Sequence, residues 1–306
     1  MGTLYIIGNG FDLHFGLKTN PADFVENLRN QSLYNATDNA FDILNFYGVD
    51  WHEYEQSLNN IDLDEIVFQN EIPPDYLSDR ESDRDSGIYN MQMHVDSISD
   101  AINTALEEMV AYADDDAWKL STIYGRKNLF QSGDAILTFN YTSTIEYLFF
   151  VPDNVNIFHI HGCYADKKSR LIFGYKNAKN RYEESWSSLD EGNWDYYIAQ
   201  QRQIVYDFYD NWKKQFQLDN LRSFLLNCPY NDNVIVLGHS MNAVDSEYME
   251  LIETILHPKI WKISYYKPGD IDTIRSQRYS FDYKIEFTKI EEIVGYLPIK
   301  NGIIHG

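Results

Sequence analysis

The sequence predicts an α/β protein: a doubly wound, mainly parallel sheet carrying a helical insertion. Three observations predict it. Short apolar runs bounded by turn residues recur along the chain, and most are continuous, as in strands covered on both faces. Segments with helical spacing lie between those runs, the alternation expected of a parallel sheet. The 306 residues are 44% hydrophobic and 24% charged, a globular composition, and a chain of that size buries a core without disulfide staples.

The elements follow in order. Residues 3–7 form the first strand, ahead of a mixed helix-and-turn stretch over 12–28 in which Pro21 suits a first helical position with Asn20 as cap. Residues 44–127 are mostly helical and too long for one crossover helix. They are read as an insertion within a single domain spanning 1–306. Inside it, residues 71–90 hold Pro73-Pro74 and a charged run over 79–85, and are expected to form a loop. Val95, Ile98, Ile102, Leu106, Met109 and Val110 then share one helical face. Strands are expected over 135–139, 155–160 and, briefly, 171–173. A polar excursion follows over 176–195, then helical spacing over 198–226. Strands over 234–237, 260–266 and 283–287 complete the sheet.

Charge and cysteine content exclude several functions. The formal net charge is −22, so the surface repels phosphate backbones and anionic membranes, and nucleic acid is not an expected partner. Apolar runs fall short of the ~18 residues a membrane span needs, and Met1 leads directly into a strand-like run rather than a targeting segment. A cytoplasmic protein is expected. Cys163 and Cys228 are the two cysteines, too few for a four-cysteine zinc site, so no zinc is expected.

Four motifs stand at predicted strand ends, where open α/β sheets bind ligands. The first is Gly8-Asn9-Gly10-Phe11-Asp12. A Gly-x-Gly after a strand suits close backbone approach to a phosphate, although the third glycine of the dinucleotide pattern is replaced by Leu13. The second is Thr138-Phe139-Asn140-Tyr141-Thr142, where Asn140 suits a ribose hydroxyl or a water, and where Thr142 or Ser143 equally suits a helix cap. The third is His159-Ile160-His161-Gly162. Histidines one residue apart on a strand share a face; they suit a metal pair, a general base, or a buried hydrogen-bonded histidine. The fourth is Gly238-His239-Ser240, continuing to Asp245. It has only the first half of a nucleophile elbow and otherwise suits a second phosphate or ribose contact.

These blocks, with Gly16-Leu17, Asp23-Phe24 and Phe173-Gly174-Tyr175, resemble in order the AbiH family of bacteriophage abortive-infection proteins over nearly the whole chain. More distantly they resemble the sirtuin-like Rossmann domains of antiphage NAD-hydrolysing proteins. That second resemblance implies Gly8 and Gly10 at a pyrophosphate and Gly238 and Ser240 at the adenosine half, and Asn9, Phe11, Asp12, Thr138, Tyr141, Gly162 and Asp245 are expected beside them around the nucleotide. It further implies Asn140 as the ribose contact that positions water and His161 as the base or a ribose contact. Asn9 and Asp12 depart from that pattern, and the missing zinc module argues against deacylation. The expected function is therefore an antiphage effector that hydrolyses NAD at the nicotinamide–ribose bond. A non-catalytic nucleotide sensor or scaffold is the alternative, and a metal-dependent nuclease using His159 and His161 a third reading. Self-association as a homo-oligomer and a phage-derived trigger are the expected partners besides the nucleotide.

Overall fold

A computed structural model describes residues 2–34, 37–49, 58–174, 195–228, 232–276 and 284–295. The strands are β1 (Thr3–Ile7), β2 (Lys127–Asn128), β3 (Ala135–Thr138), β4 (Phe149–Phe150), β5 (Asn156–His159), β6 (Asn233–Leu237), β7 (Ile260–Tyr265) and β8 (Lys284–Lys289). Six of them form one sheet in the order β5-β3-β1-β6-β7-β8, and every pairing in it is parallel. The chain winds outward from β1 to β3 and β5, then returns across β1 to β6, β7 and β8. That order is the doubly wound one, and it places the reversal between β1 and β6.

Side-chain alternation explains the continuous apolar strands. Leu4 and Ile6 of β1 join one core cluster with Leu137, Val236, Trp261 and Ile263. Tyr5 and Ile7 point the other way, into a second cluster with Phe11, Phe15, Ile136 and Phe149. Both faces are covered, so neither can be polar; each fully buried Leu or Ile is worth roughly 1.5–3 kcal/mol.

The chain divides into two compact units. One comprises residues 1–20, 109–172 and 216–306 and holds the whole six-stranded sheet; the other comprises residues 21–108 and 173–215. The second unit is thus a two-segment body, where the sequence suggested a single insertion over 44–127. It is helical, with helices Pro21–Leu28, Ala40–Phe46, Leu63–Asn70 and Tyr196–Asn211. Asn39, Asp62 and Asp195 cap three of these by accepting N–H bonds from Asp42, Glu65 and Tyr197. Gln201, fully buried, clamps both the N–H and the carbonyl of Ile72 at 3.0 Å.

Some expectations are corrected. Residues 171–173 form no strand; Ile172 donates one bond to the His161 carbonyl. The charged run at 79–85 is not all loop, because helix Glu81–Tyr124 begins inside it. Glu81 and Asp83 sit in that first turn, where the helix dipole favours anions. Helical spacing over 198–226 resolves into two helices, Tyr196–Asn211 and Leu218–Leu226. Pro21 does open its helix. Tyr283, and the polar excursion apart from its last residue Asp195, lie outside the described residues.

Candidate functional site

The four motifs stand at the carboxyl edge of the sheet, all in the unit that carries it. The loop after β1 meets the loop after β6. Gly8 N–H donates to the Leu237 carbonyl at 3.0 Å, and Gly10 N–H to the Gly238 carbonyl at 2.8 Å. A Cβ at Gly8 would lie 2.7 Å from the His239 Cα, and one at Gly10 2.8 Å from the Gly238 oxygen. Gly238 has φ +65°, and a Cβ there would clash with the Phe11 nitrogen. The glycines are therefore explained by loop-on-loop packing at the sheet reversal. Phe11 N–H bonds to the Gly8 carbonyl at 2.9 Å, and the Phe11 ring is a core residue against Phe15 and Phe149. Asn9 turns away: its amide donates to the Thr19 carbonyl at 2.8 Å, and its oxygen accepts from the Thr19 hydroxyl at 2.6 Å.

Two polar clusters flank the loop after β3. The first surrounds Asp12, which is 1% exposed. Its Oδ2 accepts from the Thr142 hydroxyl at 2.7 Å, and Thr144 donates to Thr142 at 3.0 Å. Burial pushes the Asp12 carboxyl up to about 6, against the pull of hydrogen bonds from Thr142, Thr144 and Asn140. Asn140 is itself 6% exposed, and its backbone N–H donates to the Thr138 hydroxyl at 3.1 Å. Asn140 Oδ1 and Asp12 Oδ1 are buried acceptors with no hydrogen-bond partner among the described residues. A buried carbonyl left so calls for an explanation, because desolvating it without a bond costs roughly 1–3 kcal/mol.

The second cluster holds His161, His239 and Asp245, all buried. His239 Nδ1 accepts the Met241 N–H at 3.0 Å. That bond places the ring proton of neutral His239 on Nε2, which faces Asp245 Oδ2 at 3.4 Å. The other oxygen of Asp245 faces His161 Nε2 at 4.0 Å. Phe139 packs edge-on against both imidazoles, at 5.3 Å and 4.3 Å between ring centroids.

The remaining expected residues are placed as follows. Tyr141 donates its hydroxyl to the Ile172 carbonyl at 2.9 Å. Thr138 is fully buried, and Ser240 is exposed on its loop. Gly162 turns the chain after β5 with φ +86° and would meet the Arg170 carbonyl if it carried a Cβ. Asn140 and His161 thus reach the same sheet edge but enter different clusters. His159 and His161 are not brought together. β5 ends at His159, and the turn that follows breaks the alternation that would have put them on one face. His159 instead faces Glu146 at 2.9 Å. Among the described residues no group of three His, Cys, Asp or Glu side chains is placed to hold a metal ion.

His239, Thr144 and Asp114 were not singled out by sequence. Asp114 had a signal: Val110, Ala113, Asp114 and Ala117 follow the buried-face spacing of the long helix, with a carboxylate in an otherwise apolar stripe. It accepts the Ser143 N–H at 2.6 Å. No curated protein matches the chain. The family model described as bacteriophage abortive infection AbiH matches residues 4–265. By that match, which covers most of the chain and all four motifs, the protein belongs to the AbiH family of bacteriophage abortive-infection proteins.

Proposed function

We propose that this abortive-infection protein acts in the cytoplasm as an effector that hydrolyses NAD at the nicotinamide–ribose bond, set off by a phage-derived trigger. The observation that carries the reading is Asn140 Oδ1, a buried acceptor without a partner among the described residues, at the carboxyl edge of a doubly wound sheet. The proposed occupant is a ribose hydroxyl or the attacking water. The His161–Asp245 pair is the second support, a base with a carboxylate facing its Nε2.

In this reaction the bond from C1′ to the nicotinamide nitrogen breaks, and nicotinamide leaves as a neutral ring. Water adds to C1′, and its proton passes to His161. The transition state is oxocarbenium-like, as in glycoside hydrolysis. His239, held by the Met241 N–H, fixes Asp245 from its other oxygen and so acts as a positioning residue. Asp12 positions Thr142 and Asn140, from which it accepts hydrogen bonds. The pyrophosphate does not use the amides of Gly8, Gly10 and Phe11, because protein carbonyls already accept them.

The test is mass spectrometry of NAD incubated with the purified protein, beside Asn140→Ala and His161→Ala. Nicotinamide and ADP-ribose are expected from the parent alone, with the variants slowed about 100-fold or more, the scale of a lost general base. Undiminished turnover in both variants removes these assignments. No turnover by the parent, with a melting temperature raised by NAD, supports the non-catalytic sensor instead.

A further inference from the structure

His159 belongs to neither group used above, and its surroundings fix its charge. In the parallel register it lies opposite Thr138, so β3 and β5 end together beside the loop that carries Asn140. His159 Nε2 faces Glu146 Oε1 at 2.9 Å, and His159 Nδ1 faces the Asn140 carbonyl oxygen at 3.3 Å. An ionised carboxylate and a carbonyl only accept, so the ring bonds to both only when each nitrogen carries a proton. A neutral ring would turn a nitrogen lone pair onto an oxygen lone pair. His159 is therefore an imidazolium, and its side chain keeps only 12% exposure.

Side chains hold both polar groups of the Asn140 backbone. Its N–H donates to the Thr138 hydroxyl at 3.1 Å, and its carbonyl accepts from His159. Backbone groups are strong hydrogen-bonding partners, so these two bonds fix the peptide planes on either side of the Asn140 Cα. The Asn140 side chain takes its direction from that backbone, because allowed rotamers depend on φ and ψ. Glu146 lies on helix Thr144–Leu148, so the ion pair also ties that helix to the end of β5. Two other titratable groups act on the ring through their charge, Asp114 of the long helix and the Cys163 thiol beyond β5. Asp114 accepts the Ser143 N–H at 2.6 Å and, like Glu146, favours the charged ring. Burial opposes that charge, but the acidic groups Cys163 and Glu146 outweigh it and push the ring up to about 10.

We infer that His159 is a positioning residue, an imidazolium held by Glu146 that grips the Asn140 carbonyl and so fixes the Asn140 side chain in the site. It serves the role proposed for Asn140 above and rests on that reading. Glu146 acts one step further out, by keeping the ring charged and aimed. The grip is present below the ring's midpoint and is lost as pH rises through it, because a bare Nδ1 cannot donate to the carbonyl. With Glu146 in place that midpoint lies above the neutral range, and the site does not feel it.

The experiment uses the full chain beside Glu146→Gln and His159→Gln. Without NAD, NMR of protein labelled with 15N-histidine follows the His159 ring, whose signals are those missing from His159→Gln. In the parent both ring nitrogens should be protonated at about pH 8, and in Glu146→Gln the midpoint should fall by about 1–3 pH units, the shift a close opposite charge supplies. Asn140-Tyr141 is the single Asn-Tyr step in the sequence, so 13C-carbonyl Asn with 15N-Tyr reports the Asn140 carbonyl alone. That signal should titrate with the ring in Glu146→Gln and stay still in the parent across the neutral range. NAD turnover should hold steady between about pH 7 and 9 in the parent. In Glu146→Gln it should fall about tenfold per pH unit above the new midpoint and recover at lower pH. Should His159→Gln fail to fold, the carbonyl signal and the turnover profile, which need no histidine assignment, carry the comparison. If the parent turns over no NAD, the NAD reading fails, and the ring and carbonyl signals still decide the grip. A singly protonated His159 ring in the parent at about pH 8, a carbonyl signal that stays still in Glu146→Gln, or a turnover profile that Glu146→Gln leaves flat overturns the inference.

Discussion

The loops after β1 and β3 begin alike and end differently. Each follows a buried parallel strand of the same sheet, and residues 8–12 carry the glycines that suggest a ligand loop. In residues 8–12, however, the N–H groups of Gly8, Gly10 and Phe11 bond to protein carbonyls, and both ends of the Asn9 amide are held by Thr19. The loop after β3 has no glycine, yet it leaves the Asn140 carbonyl buried and without a partner among the described residues. A glycine pattern reports close backbone approach, and here the approaching body is another loop of the same chain. Chemical capacity is better read from a buried polar group that its surroundings leave unsatisfied.

The comparison breaks first at Gly238. Gly238→Ala places a methyl against the Phe11 nitrogen at a positive φ, adding left-handed strain to overpacking, and should destabilise the protein by about 4 kcal/mol. Chemical denaturation checks this; a loss under about 1 kcal/mol would mean the loops separate easily and leave room for a ligand. Asn140→Ala should show the opposite profile. NAD turnover falls about 100-fold while unfolding free energy falls by only about 1–2 kcal/mol, because the deleted carbonyl has no bond to lose and the amide gives up its bond to Asp12. A large stability loss there would make Asn140 a structural residue.

Asp12 sharpens the contrast through pH. Its carboxyl is raised from 3.8 to about 6 in the folded state, so the folded protein holds this proton more tightly than the unfolded chain does. Stability contributed by that proton is present below pH about 4 and is lost as pH rises through about 6, by about 2 kcal/mol or more. Asp114 is raised to about 6 by burial as well and adds a slope of the same sign. Asp12→Asn should therefore flatten, not abolish, the decline seen in melts across this window; an unchanged slope rules Asp12 out as its source. The smallest effect belongs to Asn9→Ala, which removes the paired bonds to Thr19. It should cost about 1–2 kcal/mol and leave NAD turnover within about twofold. A collapse of turnover in a folded Asn9→Ala protein would return residues 8–12 to the site.

Local chemistry in the sequence determined the fold class and most strands. Continuous apolar runs at 3–7, 135–138 and 234–237 mark strands covered on both faces, and Pro21 marks a helix start, because burial and backbone geometry act over a few residues. The conjunction of motifs at strand ends likewise placed Asn140, His161 and Asp245 at one edge of the sheet. Only the tertiary structure decided what each residue faces. Gly10 meets Gly238 across more than two hundred positions, Asp12 meets Thr142, and His159 parts from His161 to meet Glu146. Hydrogen-bond partnership depends on the register of strands and loops brought together by winding, and local spacing carries no record of that register.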